Sequence, residues 1–373
     1  MHPDTPENIA RARTWTPIDE DLAGVDAAIR QRAIEVRKSF VLDVDIVRCE
    51  RWHIPDTVDV IADIPYLPDG ETNPFHRLDL YLPHDAYLRG GKALPVYIDI
   101  HGGGFVYGTK DLNKNFGVHL AERGCAVFSL SYRLAPAADF LDQLRDVLAG
   151  CAWIARHLDD YPIDPDSVVI TGDSAGATLG LYAVAALRNP EIFAALDASA
   201  LAPVAPGTSP DATGTAPHSP APSVLGEERL AVAGMAFVSG LFDLSDLVPF
   251  VSGRRDGGND DAATPTLAYL TEMGGFIDRA VQVLGEELLC AEKLVSRCEL
   301  PPAYLVTSSD DFIEFETLLF AGYLSRKGIP VECHSYRPPR GATLGHVFPV
   351  GQVWLEESRE VLSDLKRFAL ECR

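Results

Sequence analysis

From residue 94 onward, apolar runs of strand length alternate with stretches of helical pattern, and this alternation leaves the chain few architectures. The runs LPVYIDI (94–100), CAVFSLSY (125–132) and SVVITG (167–172) are separated by helical patterns near 110–123 and 138–158, with another at 175–188. Repetition of this kind needs crossover connections, so the strands run parallel and helices cover both faces of the sheet. Upstream, VDVIADIPYL and HRLDLYLP alternate with period two on either side of the turn-rich PDGETN, which predicts an antiparallel hairpin. Downstream, MAFVSGLFDL (235–244), PAYLVTSS (302–309) and VECHSYR (331–337) add strands, with helices at 313–327 and 352–369. The expectation is an α/β chain built on a mostly parallel eight-stranded sheet flanked by helices.

Two regions break the alternation. Leu22, Val25, Ile29, Ala33 and Val36 recur at spacings of three and four, giving residues 1–50 a helix with one apolar face. Between 247 and 300, helical pieces such as FIDRAVQVLGEELLCAEKLV interrupt the sheet pattern. The segment 203–226 is dense in Pro, Ser, Thr, Gly and Ala, can bury little, and reads as a flexible insertion. The chain therefore divides into an N-terminal helical part of a lid (1–50), a core (51–246, containing 203–226), a lid insertion (247–300) and the rest of the core (301–373).

Composition removes several function classes. Acidic residues outnumber basic ones 54 to 32, a formal charge of −22 that repels nucleic acid and anionic membrane surfaces. No apolar run reaches 18 residues, and MHPDTPENIARARTW lacks the basic and apolar regions of a signal peptide. Seven cysteines without CxxC pairing suggest neither a disulfide framework nor a zinc site, so a cytoplasmic location is expected. With no HExxH and no EF-hand loop, neither metal nor cofactor is expected.

In a sheet of this type ligands bind beyond the carboxyl ends of the strands, so residues just after each run carry the chemistry. Gly172-Asp173-Ser174-Ala175-Gly176 lies where an apolar strand ends and an Ala/Leu-rich helix begins. By composition alone, GxSxG arises in roughly one chain in ten of this length. Its position at a strand-to-helix turn is the context a nucleophile elbow requires, with small residues flanking an exposed serine. His101-Gly102-Gly103-Gly104-Phe105 follows LPVYIDI directly. Three glycines let the backbone approach a substrate and turn its amides to one point, as an oxyanion hole demands. Gly102 and Gly103 are the preferred donors with the Ala175 amide; Gly104 could replace either glycine. A dinucleotide loop is excluded because the sixth position from Gly102 is Tyr107. His101 suits a loop-bracing role.

A serine hydroxyl needs a base, and the base needs a carboxylate to fix its tautomer. The chain order for this arrangement is serine, acid, histidine. His346, in the loop PPRGATLGHVFPV before the last helix, is better placed as base than His334, which lies inside a strand. For the acid, Asp310 and Asp311 follow PAYLVTSS and point in opposite directions. Asp243 and Asp246, after the preceding strand, also keep the order.

HGGGF (101–105), YRLAP (132–136), GDSAG (172–176), TSSDDFIEFE (307–316) and GHVF (345–348) together resemble the hormone-sensitive-lipase-like carboxylesterases of the α/β-hydrolase fold. The resemblance covers about 57–370 and implies an eight-stranded sheet with a helical lid. Laid on the family's acid motif, Asp311-Phe312-Ile313 makes Asp311 the acid, so the implied triad is Ser174, Asp311 and His346. It also implies an esterase acting on small-molecule esters with short acyl groups, and leaves a homodimer open. LDLYLP (78–83) and GDSAGA are similar to feruloyl-esterase-like and formamidase-like hydrolases, which keeps an amidase as the nearest alternative. A non-catalytic ligand-binding protein on this fold is the remaining one.

Overall fold

Leu94–Ile100 (β3) is buried along its whole length. Its alternate residues enter two different cores, Val96, Ile98 and Ile100 on one side and Tyr97 on the other. A strand apolar at every position can exist only with both faces covered. The computed structural model, which describes residues 2–88, 93–198, 230–247, 269–270 and 275–372, shows this on both sides of the sheet.

Among these residues the sheet also contains Val58–Pro65 (β1), Arg77–Pro83 (β2), Ala126–Leu130 (β4), Ile163–Asp173 (β5), Gly234–Val238 (β6), Ala303–Ser308 (β7) and Val331–Tyr336 (β8). Its order is β1-β2-β4-β3-β5-β6-β7-β8. The expected hairpin is present, and β2 also pairs antiparallel with β4, so one edge is antiparallel while β4, β3, β5, β6, β7 and β8 run parallel. From β3 the chain moves outward to β4 and then returns to place β5 on β3's other side. That reversal is a topological switch point. Ile100 pairs with Gly172 across it, which sets the HGGGF loop directly beside the GDSAG turn.

Helices Lys114–Glu122 and Glu356–Glu371 pack on one face through Phe116, Leu120, Leu362 and Leu365, while Phe140–His157, Ala175–Arg188 and Glu314–Lys327 cover the other. The expected N-terminal helix begins later than its apolar spacing suggests. Asp26 caps it by accepting the N–H groups of Ala28 and Ile29, so helix Ala27–Phe40 excludes Leu22, which is buried in the preceding turn. The sixth strand is also shorter than MAFVSGLFDL: Ser239, at φ +48°, turns the chain at its end. The segment 203–226 lies outside the described residues, as does much of 247–300; the described part of the latter includes helices Asp278–Leu284 and Ala291–Arg297, which join the core with Ala280, Leu294 and Val295. Among the described residues no helix is long and apolar enough to cross a membrane.

Candidate active site

Ser174 occupies the sharp turn between β5 and helix Ala175–Arg188, at φ +51° and ψ −120°. A non-glycine residue there is strained and is held by its surroundings: the Ser174 N–H donates to the Val238 carbonyl at 3.0 Å. The turn is possible because Gly176 packs against the end of β3, where a Cβ would run into the Ile100 and His101 backbone. Ser174 opens onto a cavity of about 320 Å³.

The glycine loop forms the adjoining wall. Gly103 stands at φ +102° and Gly104 at φ +57°, and both line the cavity with Ala175. Gly102 does not, which corrects its expected place among the donors. Its N–H is taken by Asp173 Oδ1 at 2.9 Å, and an amide so engaged cannot also meet an oxyanion. The loop's cavity-facing glycines are thus Gly103 and Gly104.

Asp173 belongs to a buried polar chain. Asn113 Nδ2 donates to Asp173 Oδ1 at 2.8 Å and to Asp99 Oδ1 at 3.2 Å, and Ser129 Oγ donates to Asp99 Oδ2 at 3.0 Å. Burial, reinforced by the charge of Asp173, pushes Asp99 up to about 7. Burial also raises Asp173, against the opposing effects of Asn113, His346 and the Gly102 amide. His101 donates from Nδ1 to the Gly102 carbonyl at 2.8 Å and stacks on Tyr132 with ring centres 4.2 Å apart. Burial lowers its pKa to about 4, so it is neutral near pH 7.

At the ends of β7 and β8, Asp311 and His346 meet. His346 Nδ1 lies 3.0 Å from both carboxylate oxygens of Asp311, and Ile313 N–H donates to Oδ1 at 3.0 Å. Burial of Asp311 is outweighed by His346, Ser239 and the Ile313 amide, which hold its pKa below the ordinary value. The neighbouring Asp310 points the other way and grips the histidine loop, accepting from Thr343 Oγ1 at 2.6 Å and from the Leu344 and Gly345 N–H groups at 3.1 Å each. Composition around an exposed Asp-Asp turn carries no sign of this second role. Asp243 is engaged elsewhere, accepting from the Ser245 and Ala291 N–H groups at 2.8 and 3.1 Å; the side chain of Asp246 lies outside the described residues. His334 sits on β8 beside Tyr304, ring centres 5.2 Å apart.

The N-terminal segment supplies a wall that motif reading missed. Helix Ala27–Phe40 continues through a π-helical turn, Val41–Asp45, which brings Phe40, Val44, Asp45, Arg48 and Trp52 to the cavity. Asp45 is buried, accepts from Tyr107 OH at 2.8 Å and lies 3.6 Å from Arg48; burial raises its pKa. Arg48 in turn donates to the His346 carbonyl at 3.3 Å. The period of the 1–50 face signals that something is covered, but not which polar residues accompany it.

A sheet with a switch point, a serine on a strained turn at its centre and an Asp–His pair at later strand ends defines a class of fold, and sequence comparison agrees with it. A family model described as the α/β-hydrolase fold matches residues 97–340. The chain belongs to the α/β-hydrolase fold family. Among its relatives are a probable isoprenylcysteine alpha-carbonyl methylesterase of Arabidopsis thaliana, 36% identical over 28% of this chain and 21% of that one, and an acetyl esterase of Salmonella paratyphi B, 34% identical over 25% of this chain and 29% of that one. The aligned part thus spans between a fifth and a third of these relatives' length. Among solved structures, esterase B from Lactobacillus Rhamnosis superimposes with a TM-score of 0.72 over 93% of this chain and 96% of that one at 22% identity. An esterase from the bacterial hormone-sensitive lipase family does so with 0.60 over 99% of both at 17% identity. These two likenesses concern the fold.

Proposed function

We propose that the chain is a serine carboxylesterase in which Ser174 attacks the ester carbonyl, His346 takes its proton and returns it to the leaving alcohol, and Asp311 orients and stabilises the imidazolium. The observation that carries this reading is the His346 ring, held through Nδ1 at 3.0 Å by Asp311, on the wall of the cavity onto which Ser174 opens. The Gly103, Gly104 and Ala175 amides receive the oxyanion; water then releases the acyl group.

The cavity, about 320 Å³ and walled by Phe40, Val44, Trp52, Phe105 and Leu241, suits esters with small or short acyl groups. Residues 1–50 and the helices after 277 act as its lid in this reading. The acetyl esterase relatives support the same class of substrate. Hydrolysis of p-nitrophenyl acetate by the purified chain and by Ser174→Ala tests the proposal: kcat should fall at least about 10³-fold. Undiminished turnover in the variant would sink it.

A further inference from the structure

A second cavity, of about 210 Å³, is built from the chain neighbours of two residues that wall the first. Arg51 and His53 flank Trp52, and Trp354 follows Gly351 by three positions. Three guanidiniums (Arg51, Arg123, Arg359) and two imidazoles (His53, His119) line it. Its wall has one carboxylate among the described residues, the exposed Glu122, which accepts the Thr57 hydroxyl at 3.4 Å.

In a chain of 54 acidic and 32 basic residues, many guanidiniums elsewhere hold carboxylates: Arg37 with Asp21, Arg133 with Asp146, Arg279 with Asp139, Arg367 with Glu332. None of the three here has an ion-pair partner among the described residues, and Arg123 Nε is buried without a hydrogen bond. Like charges around a concave space repel one another, and a buried donor without an acceptor is costly, so an anion held between the groups would relieve both.

The parts are also held in place. The Arg51 guanidinium lies over the Trp354 ring, 5.0 Å from its centre, which leaves its N–H edge available. His53 donates its backbone N–H to Asn115 Oδ1 at 3.2 Å, and its ring meets that of His119 edge-on at 4.8 Å. His119 Nδ1 donates to the Asn115 carbonyl at 2.7 Å, so Nε2 is the ring atom left to accept a proton from a ligand.

We propose that this cavity binds a compact, multiply charged oxyanion of the phosphate type. Its oxygens accept from the guanidinium forks, and the hydroxyl of a hydrogenphosphate donates to His119. The net charge of −22 opposes general anion binding, so the affinity is local to these five side chains. The inference stands apart from ester hydrolysis, and its test does not need activity.

Titration calorimetry with inorganic phosphate, at an ionic strength fixed with sodium chloride, reads it directly. The full chain should show saturable binding that weakens about tenfold in Arg51→Gln and in Arg359→Gln, and disappears in the double variant. Both residues are exposed, so the variants should keep the parent's melting temperature. Glycerol 3-phosphate, titrated in parallel, separates the two sources of the chemistry: tighter binding than phosphate assigns the site to a phosphomonoester, weaker binding to the free ion. No saturable heat with either probe, or unchanged affinity in the double variant, overturns the proposal.

Discussion

The Gly102 N–H donates to Asp173 Oδ1 at 2.9 Å, joining the residue before the nucleophile position to the loop that carries the cavity-facing glycines. In the proposed mechanism Asp173 is a positioning residue, tethering the loop whose Gly103 and Gly104 amides would receive the oxyanion. Replacing it with alanine frees that loop while leaving the Gly103, Gly104 and Ala175 backbone amides in place. We expect Asp173→Ala to lower kcat on p-nitrophenyl acetate by about 10²-fold with KM changed far less, the scale of losing one oxyanion donor. Equal kcat in parent and variant would show that the loop holds itself.

Asp310 and Asp311 are adjacent yet should fail differently. Asp311→Asn keeps the shape but offers His346 Nδ1 an amide, which favours the wrong tautomer, and kcat should drop by about 10⁴-fold. Asp310→Ala leaves the ring's partner intact and releases only the backbone of residues 343–345. A displaced base of this kind should cost about ten- to a hundredfold in kcat. Steady-state kinetics of the two variants side by side decide the matter; the reverse ranking would exchange their roles.

Arg37 lies on the apolar stripe of helix Ala27–Phe40 yet is fully buried. Its guanidinium forks onto Asp21 at 2.5 and 2.8 Å, and Nε donates to the Val106 carbonyl at 2.7 Å, tying the N-terminal segment to the chain just after HGGGF. Truncation strands the buried Asp21 carboxylate as well as opening a void. Arg37→Ala should therefore destabilise by about 3–5 kcal/mol in urea unfolding. A loss below about 1 kcal/mol would mean that water replaces the pair.

These relationships mark where sequence reading stops. The strands were legible because burial on both faces leaves an unbroken apolar run, as in LPVYIDI, and the strand ends then located Ser174 and His346 on one cavity wall. The helix start was misplaced because apolar spacing continues through Leu22 and Val25 while the Asp26 cap, a single polar residue, sets the boundary. Gly102 was misassigned because three consecutive glycines look alike in sequence, and only the direction of each amide separates them. Arg37 and the grip of Asp310 on the histidine loop gave no signal, since an arginine on a helix and an aspartate in a turn are ordinarily solvated.

Asp99 makes stability depend on pH in a predictable direction. Its folded pKa of about 7 lies above the ordinary 3.8, so between those values the native chain keeps a proton that the unfolded chain has released. Stability contributed by this group is complete below about pH 4, declines as pH rises through the window, and is flat above about 7. Asp99→Asn mimics the protonated carboxyl: its carbonyl can accept from Asn113 and its amide can donate to the Ser129 hydroxyl, the two groups Asp99 meets. The variant should gain melting temperature over the parent by a few degrees more at pH 8 than at pH 5. Because both chains share every other titrating group, the difference isolates Asp99, and an equal gain at the two pH values would place its titration outside this window.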